Sequence, residues 1–286
     1  MISAVIPAFN EAGAIRATID QVRAALGAVP HEIIVVDDGS GDRTSAEAAA
    51  AGARVLSHPH NLGYGAALKT GIRAAVHDTI VITDADGTYP NDHMPRLVEE
   101  FGKGFNMVVG ARSGDHYRES LLKAPLRYLL KWLVEFTTGR RIPDVNSGLR
   151  VFSRSAVLPY LDTLCNTFSF TTSVTLAYMM TGKFVGYVTI PYNGRVGQTK
   201  VRLFRDSLRT LQYIVQAILY YNPLKLFLLI CGGLLAAGFA SLIVAWSNES
   251  ATAFYFGVGA LVMVVPVFCF GLLAELLARI LTDVRR

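Results

Sequence analysis

Along the first 110 residues, short apolar runs rich in β-branched side chains alternate with stretches whose apolar residues recur at helical spacing. This alternation is typical of a mostly parallel sheet with helices on both faces. The predicted strands are Ser3–Pro7, Glu32–Asp37, Arg54–Ser57, Thr79–Thr83 and Met107–Val109. The predicted helices lie at about Glu11–Leu26, Asp42–Ala51, Gly65–His77 and Asp92–Phe101. The N-terminal part of the chain is therefore predicted to be an α/β domain.

A different pattern begins near the C-terminus, where polar residues almost disappear. Residues Leu224–Trp246 are apolar apart from Lys225, and a second apolar stretch runs from Ala251 to about residue 273, or at most 275. Each stretch is long enough to cross a hydrocarbon layer of about 30 Å as one helix. Because only residues 247–250 separate them, the two stretches are predicted to form a tight transmembrane hairpin.

The charges that flank this hairpin predict its orientation. Three arginines precede the first span and three follow the second: Arg202, Arg205, Arg209, Arg279, Arg285 and Arg286. Positive residues favour the cytoplasmic side, so both flanks and the α/β domain are expected there. Residues 2–6 enter a strand directly and show no signal-peptide pattern. We therefore expect a multi-pass protein of the plasma (inner) membrane with a cytoplasmic α/β domain.

Between the α/β domain and the spans, residues 203–221 carry an amphipathic pattern. Apolar side chains recur at helical spacing, at Leu208, Leu211, Val215, Ile218 and Leu219, opposite Arg205, Arg209, Gln212 and Gln216. A helix packed on the globular domain and a helix in the plane of the headgroups both fit, and we favour the second. Asn222 and Pro223 then break the chain. The expected division is a domain over 1–200, an amphipathic helix over 201–222 and a hairpin over 223–286.

Composition narrows the class of protein. Of the 286 residues, 52% are hydrophobic, which is too apolar for a purely soluble enzyme. The net charge of +5 suits anionic headgroups and phosphate substrates, and the sequence shows no nucleic-acid-binding module. Cys165, Cys231 and Cys269 lack metal-ligand or redox spacing, and we interpret them as structural.

Polar residues stand where the predicted strands end, at 10–11, 37–38 and 84–86. Ligands of such sheets bind beyond the carboxyl ends of the strands. Asp84-Ala85-Asp86 is the most informative of these ends, because on a regular strand its two carboxylates share a face and can hold one cation. Hard oxygen ligands favour Mg²⁺ or Mn²⁺, often shared with a substrate diphosphate. The alternative is a simple polar turn at Asp86–Gly87.

Several familiar nucleotide- and metal-binding motifs are excluded. Residues 61–65 suggest a dinucleotide fingerprint, but Leu68 stands where its third glycine belongs. Residues 37–42 begin like a calcium loop, but Ala48 replaces the closing glutamate. The sequence contains neither a P-loop nor a nucleophile elbow. A nucleotide-and-metal site without these signatures remains.

Seven short motifs specify that site further. They are, in order, IPAFNE (6–11), VVDDGSGDRT (35–44), NLGYG (61–65), DADGTYP (84–90), GAR (110–112), DVNSGLR (144–150) and RVGQTK (195–200). Together they resemble family 2 glycosyltransferases of GT-A fold, in particular polyprenyl-phosphate hexose synthases such as dolichyl-phosphate mannose synthase. The resemblance covers the whole chain, and the hairpin is similar to that of bacterial polyprenyl-phosphate glucosyltransferases.

The resemblance implies a nucleotide-sugar donor site at the carboxyl edge of the sheet. The residues expected to bind the nucleotide sugar are Pro7, Phe9, Glu11, Asp37, Asp38, Asp84, Ala85 and Asp86. Asp84 and Asp86 would hold Mg²⁺ or Mn²⁺ and the donor diphosphate. The family often has Gln where this chain has Thr88, so a weaker ligand or a water is expected there.

The implied acceptor is a polyprenyl phosphate, undecaprenyl or dolichyl, and an anion at the membrane surface needs cations. The expected phosphate-binding residues are Arg112, Arg127, Arg195 and Lys200, because arginine's planar fork suits phosphate oxygens. Lys123 or Lys131 is an alternative to Arg127. The catalytic set is then Asp84, Asp86, Arg112, Asp144, Arg195 and Lys200, with Asp144 orienting groups near the acceptor.

The acceptor also predicts the mechanism. A lipid phosphate is already ionised near neutral pH, so attack on the anomeric carbon needs little help from a base. Positioning and stabilisation of the leaving nucleoside diphosphate then supply catalysis. Related enzymes that glycosylate hydroxyls use a carboxylate, whereas the corresponding stretch here, residues 168–173, contains no acid. A single displacement predicts inversion at the anomeric carbon.

Two other functions are considered. A polysaccharide synthase would need more spans and a Gln-x-x-Arg-Trp motif, which the sequence lacks. A non-catalytic membrane scaffold would have no need for both Asp84–Asp86 and the basic residues at 195 and 200. UDP-glucose and GDP-mannose both fit as donors, and the hairpin favours a UDP-hexose. Small-residue runs at 232–233 and 257–259 permit helix packing within the hairpin or in a homo-oligomer.

Overall fold

The computed structural model describes residues 1–113, 124–192, 211–212, 214–220 and 222–284. The chain divides into two compact units, Met1–Tyr213 and Ile214–Arg286. The first is an α/β domain, and the second contains two long apolar helices. The boundary expected at residue 200 and most of the expected amphipathic helix lie outside the described residues.

The first unit is built on a seven-stranded sheet in the order β3-β2-β1-β4-β6-β5-β7. Strand β6 runs antiparallel to both of its neighbours, and the other pairings are parallel, so the predicted mostly parallel sheet is confirmed. The strands are β1 (Ile2–Ala8), β2 (His31–Asp37), β3 (Arg54–Ser57), β4 (Thr79–Ile82), β5 (Met107–Ser113), β6 (Arg150–Ser153) and β7 (Val185–Pro191).

Helices flank this sheet in two sets. Helix α1 contacts both α2 and α4, while α7 contacts both α3 and α5. The bounds in the first unit are α1 (Ile15–Leu26), α2 (Thr44–Ala50), α3 (Tyr64–Ala74), α4 (Met94–Phe101), α5 (Ala124–Thr138), α6 (Arg154–Val157) and α7 (Phe170–Met180). Short 3-10 turns lie at Asn91–His93 and Leu158–Tyr160.

The core explains why the strands read as continuous apolar runs. All seven residues of β1 are buried, because helices cover both faces of the central strands. On one side, Ala4 and Ile6 pack in a cluster with Ile15 and Ile19 of α1. Each fully buried isoleucine side chain of this cluster stabilises the fold by about 1.5–3 kcal/mol. The sheet is therefore a rigid support for the loops at its edge.

The predicted elements of the first 110 residues all exist, with shifted ends. Helix α1 begins at Ile15 rather than at about Glu11, because Asn10 has a positive φ of 53° and the Glu11 carbonyl instead accepts the N–H groups of Ala14 and Ile15. Strand β5 continues to Ser113 because it pairs with β7 along its whole length. Strand β4 ends at Ile82, and this affects the site described below.

The second unit is a helical hairpin. Helices α8 (Pro223–Asn248) and α9 (Ala251–Val284) are both long and apolar enough to cross a membrane. The Asn222 side chain caps α8 by accepting the Lys225 N–H at 3.3 Å, which agrees with the expected break before Pro223. The turn is shorter than expected, since α8 continues to Asn248 and leaves only Glu249 and Ser250 between the helices.

The two helices of the hairpin pack closely. A Cβ on Gly238 of α8 would lie 2.8 Å from the Leu261 side chain and 3.2 Å from the Gly257 carbonyl oxygen of α9. The Ser241 hydroxyl donates to the Ala253 carbonyl at 2.8 Å. By contrast, among the described residues and apart from the backbone of its own helix and its chain neighbours, no heavy atom lies within 4 Å of the Cβ position of Gly232. Gly238 of α8 therefore allows close packing against α9, whereas Gly232 takes no part in that contact.

Residues 211–212 and 214–220 are helical, which agrees with the helical spacing in that part of the sequence. Ile218 is buried, while Gln212 and Gln216 are exposed, as the amphipathic pattern predicts. Leu219, which the pattern places on the apolar side, is 41% exposed. Whether this helix lies at a membrane surface stays a prediction.

Candidate active site

Three loops meet at the carboxyl edge of the sheet. Strands β2, β1 and β4 are neighbours, and all run in the same direction. Ala8 at the end of β1 pairs with Asp37 at the end of β2, and Val5 of β1 pairs with Ile82 at the end of β4. The polar residues that follow these strands therefore lie together, as the sequence predicts.

Asp84 follows β4 in an irregular segment and does not lie on the strand. Its Oδ1 atom accepts a 2.8 Å hydrogen bond from the Tyr64 hydroxyl. On another side, a Cβ added to Gly148 would lie 2.7–2.9 Å from all three atoms of the Asp84 carboxyl group. The carboxylate is thus confined by a tyrosine of α3 and by the backbone of the loop before β6.

Asp86 is only 8% exposed and lies in a turn, where Gly87 has a φ of +73°. Its Oδ1 atom accepts hydrogen bonds from the Thr88 N–H at 3.1 Å and from the Thr88 hydroxyl at 2.6 Å. The argument that Asp84 and Asp86 share a face of a regular strand is therefore wrong, because the strand ends at Ile82. A turn closed on Thr88 orients Asp86 instead.

The chemistry of Asp84 and Asp86 fits a divalent cation bound jointly with a diphosphate. Both side chains are carboxylates, the ligand type that Mg²⁺ and Mn²⁺ prefer. Among the described residues there is no group of three or more His, Cys, Asp or Glu side chains that could hold a metal ion. Within that part of the chain, further ligands would therefore have to be substrate oxygens or water.

Asp38 is buried and organises a neighbouring loop. Its carboxylate accepts the N–H groups of Leu62 at 2.9 Å and Gly63 at 2.8 Å. The His58 ring also reaches it, with Nδ1 at 2.7 Å from Asp38 Oδ1, and the other ring nitrogen lies 2.9 Å from the Thr70 hydroxyl. Asp38 was expected to border the nucleotide. The contacts described here show that it also fixes residues 62–63, just before α3.

The other expected donor-site residues surround the same edge. Asp37 is 5% exposed, and its Oδ1 accepts the Ser40 N–H at 3.0 Å. The Glu11 N–H donates to the Thr44 hydroxyl at 2.8 Å. Pro7 is buried in β1, and Phe9 is partly buried beside it. Ala85 is buried, and its carbonyl accepts the Thr18 hydroxyl at 3.2 Å, so this residue ties the loop to α1.

Arg112 and Asp144 form a buried ion pair. The Arg112 Nε and Nη2 atoms donate to the two Asp144 oxygens at 2.7 and 3.0 Å, and the Arg112 backbone N–H adds a third contact at 3.2 Å. Burial alone would raise the pKa of the Asp144 carboxyl, but Arg112 outweighs it and holds that pKa below its ordinary value. Burial opposes the charge of Arg112, yet Tyr89 and Asp144 keep its pKa above the ordinary value. Both groups are therefore charged at neutral pH.

Arg150 organises the loop between Asp144 and β6, and sequence reasoning gave it no role. It is fully buried and donates to the carbonyls of Val145 at 2.8 Å and Ser147 at 2.7 Å, and to the Thr175 hydroxyl at 2.7 Å. Burial lowers the pKa of its guanidinium. The only sequence signal is its place at the end of the motif 144–150.

The start of α7 lies beside the same loop. The Thr172 hydroxyl donates to the Asn146 side-chain oxygen, and the Phe168 ring stacks on Tyr64 with 5.5 Å between the ring centroids. Helix α7 contains no acidic residue. At this position the protein therefore presents hydroxyl and aromatic groups.

The remaining expected cations are placed only in part. Arg127 belongs to α5, and its side chain lies outside the described part of the structure. Arg195 and Lys200 also lie outside the described residues. Of the four residues expected to bind the acceptor phosphate, Arg112 alone has a described side-chain position.

Comparison with known proteins agrees with this architecture. A family model described as Glycosyl transferase family 2 matches residues 3–159, more than half of the chain. The chain belongs to glycosyl transferase family 2. This family-2 protein is thus a glycosyltransferase, and the resemblance based on the seven motifs is confirmed.

Curated relatives extend over the whole glycosyltransferase. An undecaprenyl-phosphate 4-deoxy-4-formamido-L-arabinose transferase from Pseudomonas paraeruginosa is 29% identical over 303 residues, covering 100% of this chain and 87% of the relative. A protein of the same name from Pseudomonas aeruginosa strain PAO1 is 30% identical over 304 residues, with the same coverage. One from Pectobacterium atrosepticum is 29% identical and covers 99% of this chain and 90% of the relative.

Solved structures support the fold. Glucosyl-3-phosphoglycerate synthase from Mycobacterium tuberculosis, in complex with Mn²⁺, UDP and its product, superimposes with a TM-score of 0.62 at 24% identity over 76% of this chain and 79% of that one. The same enzyme with Mg²⁺ and UDP gives a TM-score of 0.61, with the same identity and coverage. The predicted GT-A fold is therefore confirmed for the α/β unit.

Proposed function

We propose that this glycosyltransferase transfers a sugar from a UDP-sugar to undecaprenyl phosphate at the cytoplasmic face of the membrane, using Mg²⁺ or Mn²⁺. One observation carries the proposal: a single chain contains both a GT-A unit and a hairpin of two apolar helices. In the GT-A unit, Asp84 and Asp86 follow β4. Relatives named as undecaprenyl-phosphate transferases match this chain along its whole length, which supports the same acceptor.

The donor site uses groups at the carboxyl edge of the sheet. Asp84 and Asp86 bind the diphosphate side of the donor, and a divalent cation, when bound, neutralises diphosphate charge. Residues 7–11 and 37–38 border the base and ribose. Because the solved neighbours contain UDP, a UDP-sugar is the favoured donor, with GDP-mannose second.

The acceptor side determines the mechanism. A lipid phosphate oxygen attacks the anomeric carbon directly while the bond from that carbon to the donor diphosphate breaks and UDP leaves. The attacking oxygen is already ionised, so no group has to remove a proton from it. The absence of acidic residues in α7, next to the loop 144–149, agrees with an acceptor that is already ionised. Arg112, fixed by Asp144, contributes positive charge on this side, together with Arg127, Arg195 and Lys200. One displacement inverts the anomeric centre.

Two sugars are candidates for the transferred group. A hexose such as glucose is the first, on the resemblance of the hairpin to polyprenyl-phosphate glucosyltransferases. The second is 4-deoxy-4-formamido-L-arabinose, which the names of the curated relatives favour. The selectivity of the pocket depends on the side chains around the sugar, so the transfer assay below decides between the two sugars.

Membrane attachment follows from the hairpin. We propose that α8 and α9 span the inner membrane, with the basic residues before 223 and after 278 in the cytoplasm. Trp246 and Tyr255 lie near the Glu249–Ser250 turn and are 91% and 73% exposed, which suits the headgroup region of the opposite face. Residues 211–220 then lie near the cytoplasmic headgroups.

The test is transfer of radiolabel from a panel of UDP-glucose, UDP-4-deoxy-4-formamido-L-arabinose and GDP-mannose to undecaprenyl phosphate, with Mn²⁺ or Mg²⁺. Label entering the lipid fraction from one donor, and lost with EDTA, identifies both the reaction and the sugar. Asp84→Asn should lower turnover at least about a hundredfold, because a charged group acting on the transition state is removed. Asp92→Asn, at an exposed acid outside the site, is the matched control.

Two outcomes would overturn the proposal. One is the absence of transfer from any donor while UDP binding persists. The other is equal transfer by the protein and by Asp84→Asn, which would move the chemistry away from this edge of the sheet. A scaffold would keep its partners in the Asp84→Asn variant and show no turnover in either form.

A further inference from the structure

We propose that Tyr64 is a positioning residue for the cation-binding carboxylate Asp84, and that the loop 61–65 exists in its observed form to hold the Tyr64 hydroxyl there. The inference rests on the proposed function, since it concerns the same donor site. It assigns a role to the motif 61–65, which in the sequence fails as a dinucleotide fingerprint and is one of the seven motifs of the resemblance, but to which sequence analysis gave no role.

The first step is the contact itself. The Tyr64 hydroxyl donates to Asp84 Oδ1 at 2.8 Å, across 20 residues of sequence. A hydrogen bond to an ionised carboxylate is stronger than one between neutral groups, and it restricts rotation of the carboxylate. Loss of a group that orients a metal ligand in this way typically lowers metal affinity or activity by about ten- to a hundredfold.

The second step is that the Tyr64 ring is itself held. It stacks on Phe168 with 5.5 Å between centroids and 17° between the ring planes. Offset stacking of this kind contributes about 0.5–1.5 kcal/mol beyond area burial. The ring and the hydroxyl therefore have separate functions: the ring fixes the direction of the side chain, and the hydroxyl acts on Asp84.

The third step is the anchoring of the backbone that carries Tyr64. Asp38 accepts the N–H groups of Leu62 and Gly63, immediately before α3 begins at Tyr64. His58 lies between Asp38 and Thr70, another residue of α3, and so ties the same carboxylate to the helix. The start of α3 is thereby fixed to the ends of β2 and β3.

The fourth step is the contact of the loop 61–65 with the segment 165–168. A Cβ on Gly63 would lie 2.5 Å from the Asn166 carbonyl oxygen, and one on Gly65 would lie 2.2 Å from the Cys165 carbonyl oxygen. Both glycines are therefore required for the loop to approach residues 165–168. Lys69 of α3 is 7% exposed and donates to the Leu164 carbonyl and, at 2.6 Å, to the Asn166 side chain. The segment that carries Phe168 is fixed to the same helix.

These contacts form one chain from Asp38 to Asp84. Asp38 fixes the start of α3, α3 presents Tyr64, Phe168 fixes the ring, and the hydroxyl orients the carboxylate. The NLGYG motif thus supplies two glycines for close approach and one tyrosine for orientation. Removal of the hydroxyl alone leaves every other link intact.

The test is Tyr64→Phe, which keeps the ring and its stacking on Phe168. Binding of Mn²⁺ to purified full-length protein is measured in the presence of UDP by the electron paramagnetic resonance signal of free Mn²⁺. We expect Mn²⁺ affinity to fall about tenfold, because an outer-shell partner of a metal ligand is lost. UDP binding without metal and the thermal unfolding midpoint should remain close to those of the unmodified protein.

A matched control is Tyr178→Phe. Tyr178 is fully buried in α7, and its hydroxyl has no hydrogen-bond partner in the described part of the structure. Removing that hydroxyl should leave Mn²⁺ affinity unchanged. A loss of Mn²⁺ affinity in both variants would indicate a general effect of altering buried tyrosines, and would overturn the role given to Tyr64.

Turnover separates positioning from a merely structural role. For Tyr64→Phe, the Mn²⁺ concentration that gives half-maximal transfer should rise about tenfold, while turnover at saturating Mn²⁺ recovers most of its value. Equal Mn²⁺ affinity in the protein and in Tyr64→Phe overturns this inference and leaves the proposed function standing. If the unmodified protein binds no Mn²⁺ with UDP, the inference fails together with the metal dependence of the proposed function.

Discussion

Arg112 and Asp144 meet in a bidentate ion pair, with 2.7 and 3.0 Å between the guanidinium nitrogens and the carboxylate oxygens. Their side chains are only 15% and 2% exposed. The pair connects β5 to the loop before β6, across 32 residues of sequence. Because neither charge is well solvated, each depends on the other, and removal of one would leave a buried charge behind.

The ion pair predicts an acid-dependent stability. The folded pKa of Asp144 lies below its ordinary value, so its contribution is present above the unfolded pKa of about 3.9 and is lost as pH falls through the folded pKa. Asp144→Asn should lower the free energy of unfolding by about 3–5 kcal/mol at pH 7. The difference between the two proteins should then narrow below pH of about 4. Thermal unfolding of both proteins between pH 3 and 7 measures this difference in stability.

The control for this experiment is Asp20→Asn. Asp20 pairs with Arg23 at 3.0 Å on the surface, where the two side chains are 60% and 45% exposed. A pair of this kind contributes about 0–1 kcal/mol, so its loss should shift unfolding little at any pH. A stability difference for Asp144→Asn that stays constant down to pH 3 would contradict the assigned cause.

Gly148→Ala should impair the donor site with little effect on the fold. The new Cβ would lie 2.7 Å from Asp84 Oδ1 and 2.9 Å from the carboxyl carbon, so the carboxylate has to move. Because misplacement of a reacting group by about 1 Å can cost a hundredfold in rate, transfer should fall by about that factor. Transfer of radiolabel to the lipid fraction measures it, with circular dichroism as the check on folding.

Gly13→Ala is the comparison, since in the described part of the chain no heavy atom other than those of its own residue and chain neighbours lies within 4 Å of its Cβ position. It should retain transfer. Full activity in Gly148→Ala would show that the Asp84 carboxylate tolerates displacement, and it would weaken the assignment of Asp84 to the donor diphosphate.

Gly238→Leu should loosen the membrane hairpin. Even a Cβ at this position would lie 2.8 Å from Leu261, and a leucine would force α8 and α9 apart. Without a hydrophobic driving force between helices in lipid, close packing is the main stabilising term there, so its loss should matter. We expect a lower thermal unfolding midpoint of the hairpin in detergent, read from the near-UV circular dichroism of Trp246 and Tyr255.

Gly232→Leu provides the comparison, because no described residue outside its own helix lies within 4 Å of the Cβ position of Gly232. It should leave the hairpin midpoint unchanged. If Gly232→Leu instead changes the oligomeric state, that open glycine serves a contact between copies of the chain, and the hairpin contact at Gly238 is tested independently of it.

The sequence alone predicted the elements of the first 110 residues, the two apolar helices and the family. It could do so because these features depend on local patterns: apolar periodicity sets strands and helices, an uninterrupted apolar run sets a span, and short motifs keep their order. Asp84 and Asp86 were chosen as candidate metal ligands in the same way, since they come shortly after the apolar run at 79–83, and this role stays a prediction.

What the sequence could not give was how distant residues pair. The relations of Tyr64 to Asp84, Arg112 to Asp144 and Asp38 to residues 62–63 join positions 20–32 apart in sequence. Arg150, in turn, binds carbonyls of its own loop only because the fold buries it. Local propensity contains no information about which loops a sheet brings to one edge, or which charges lose their water there. The strand order and the burial of these groups decided the pairing. A buried charge without a partner is costly because it has lost its water, so a folded structure that buries such a charge also provides an oppositely charged or hydrogen-bonding partner.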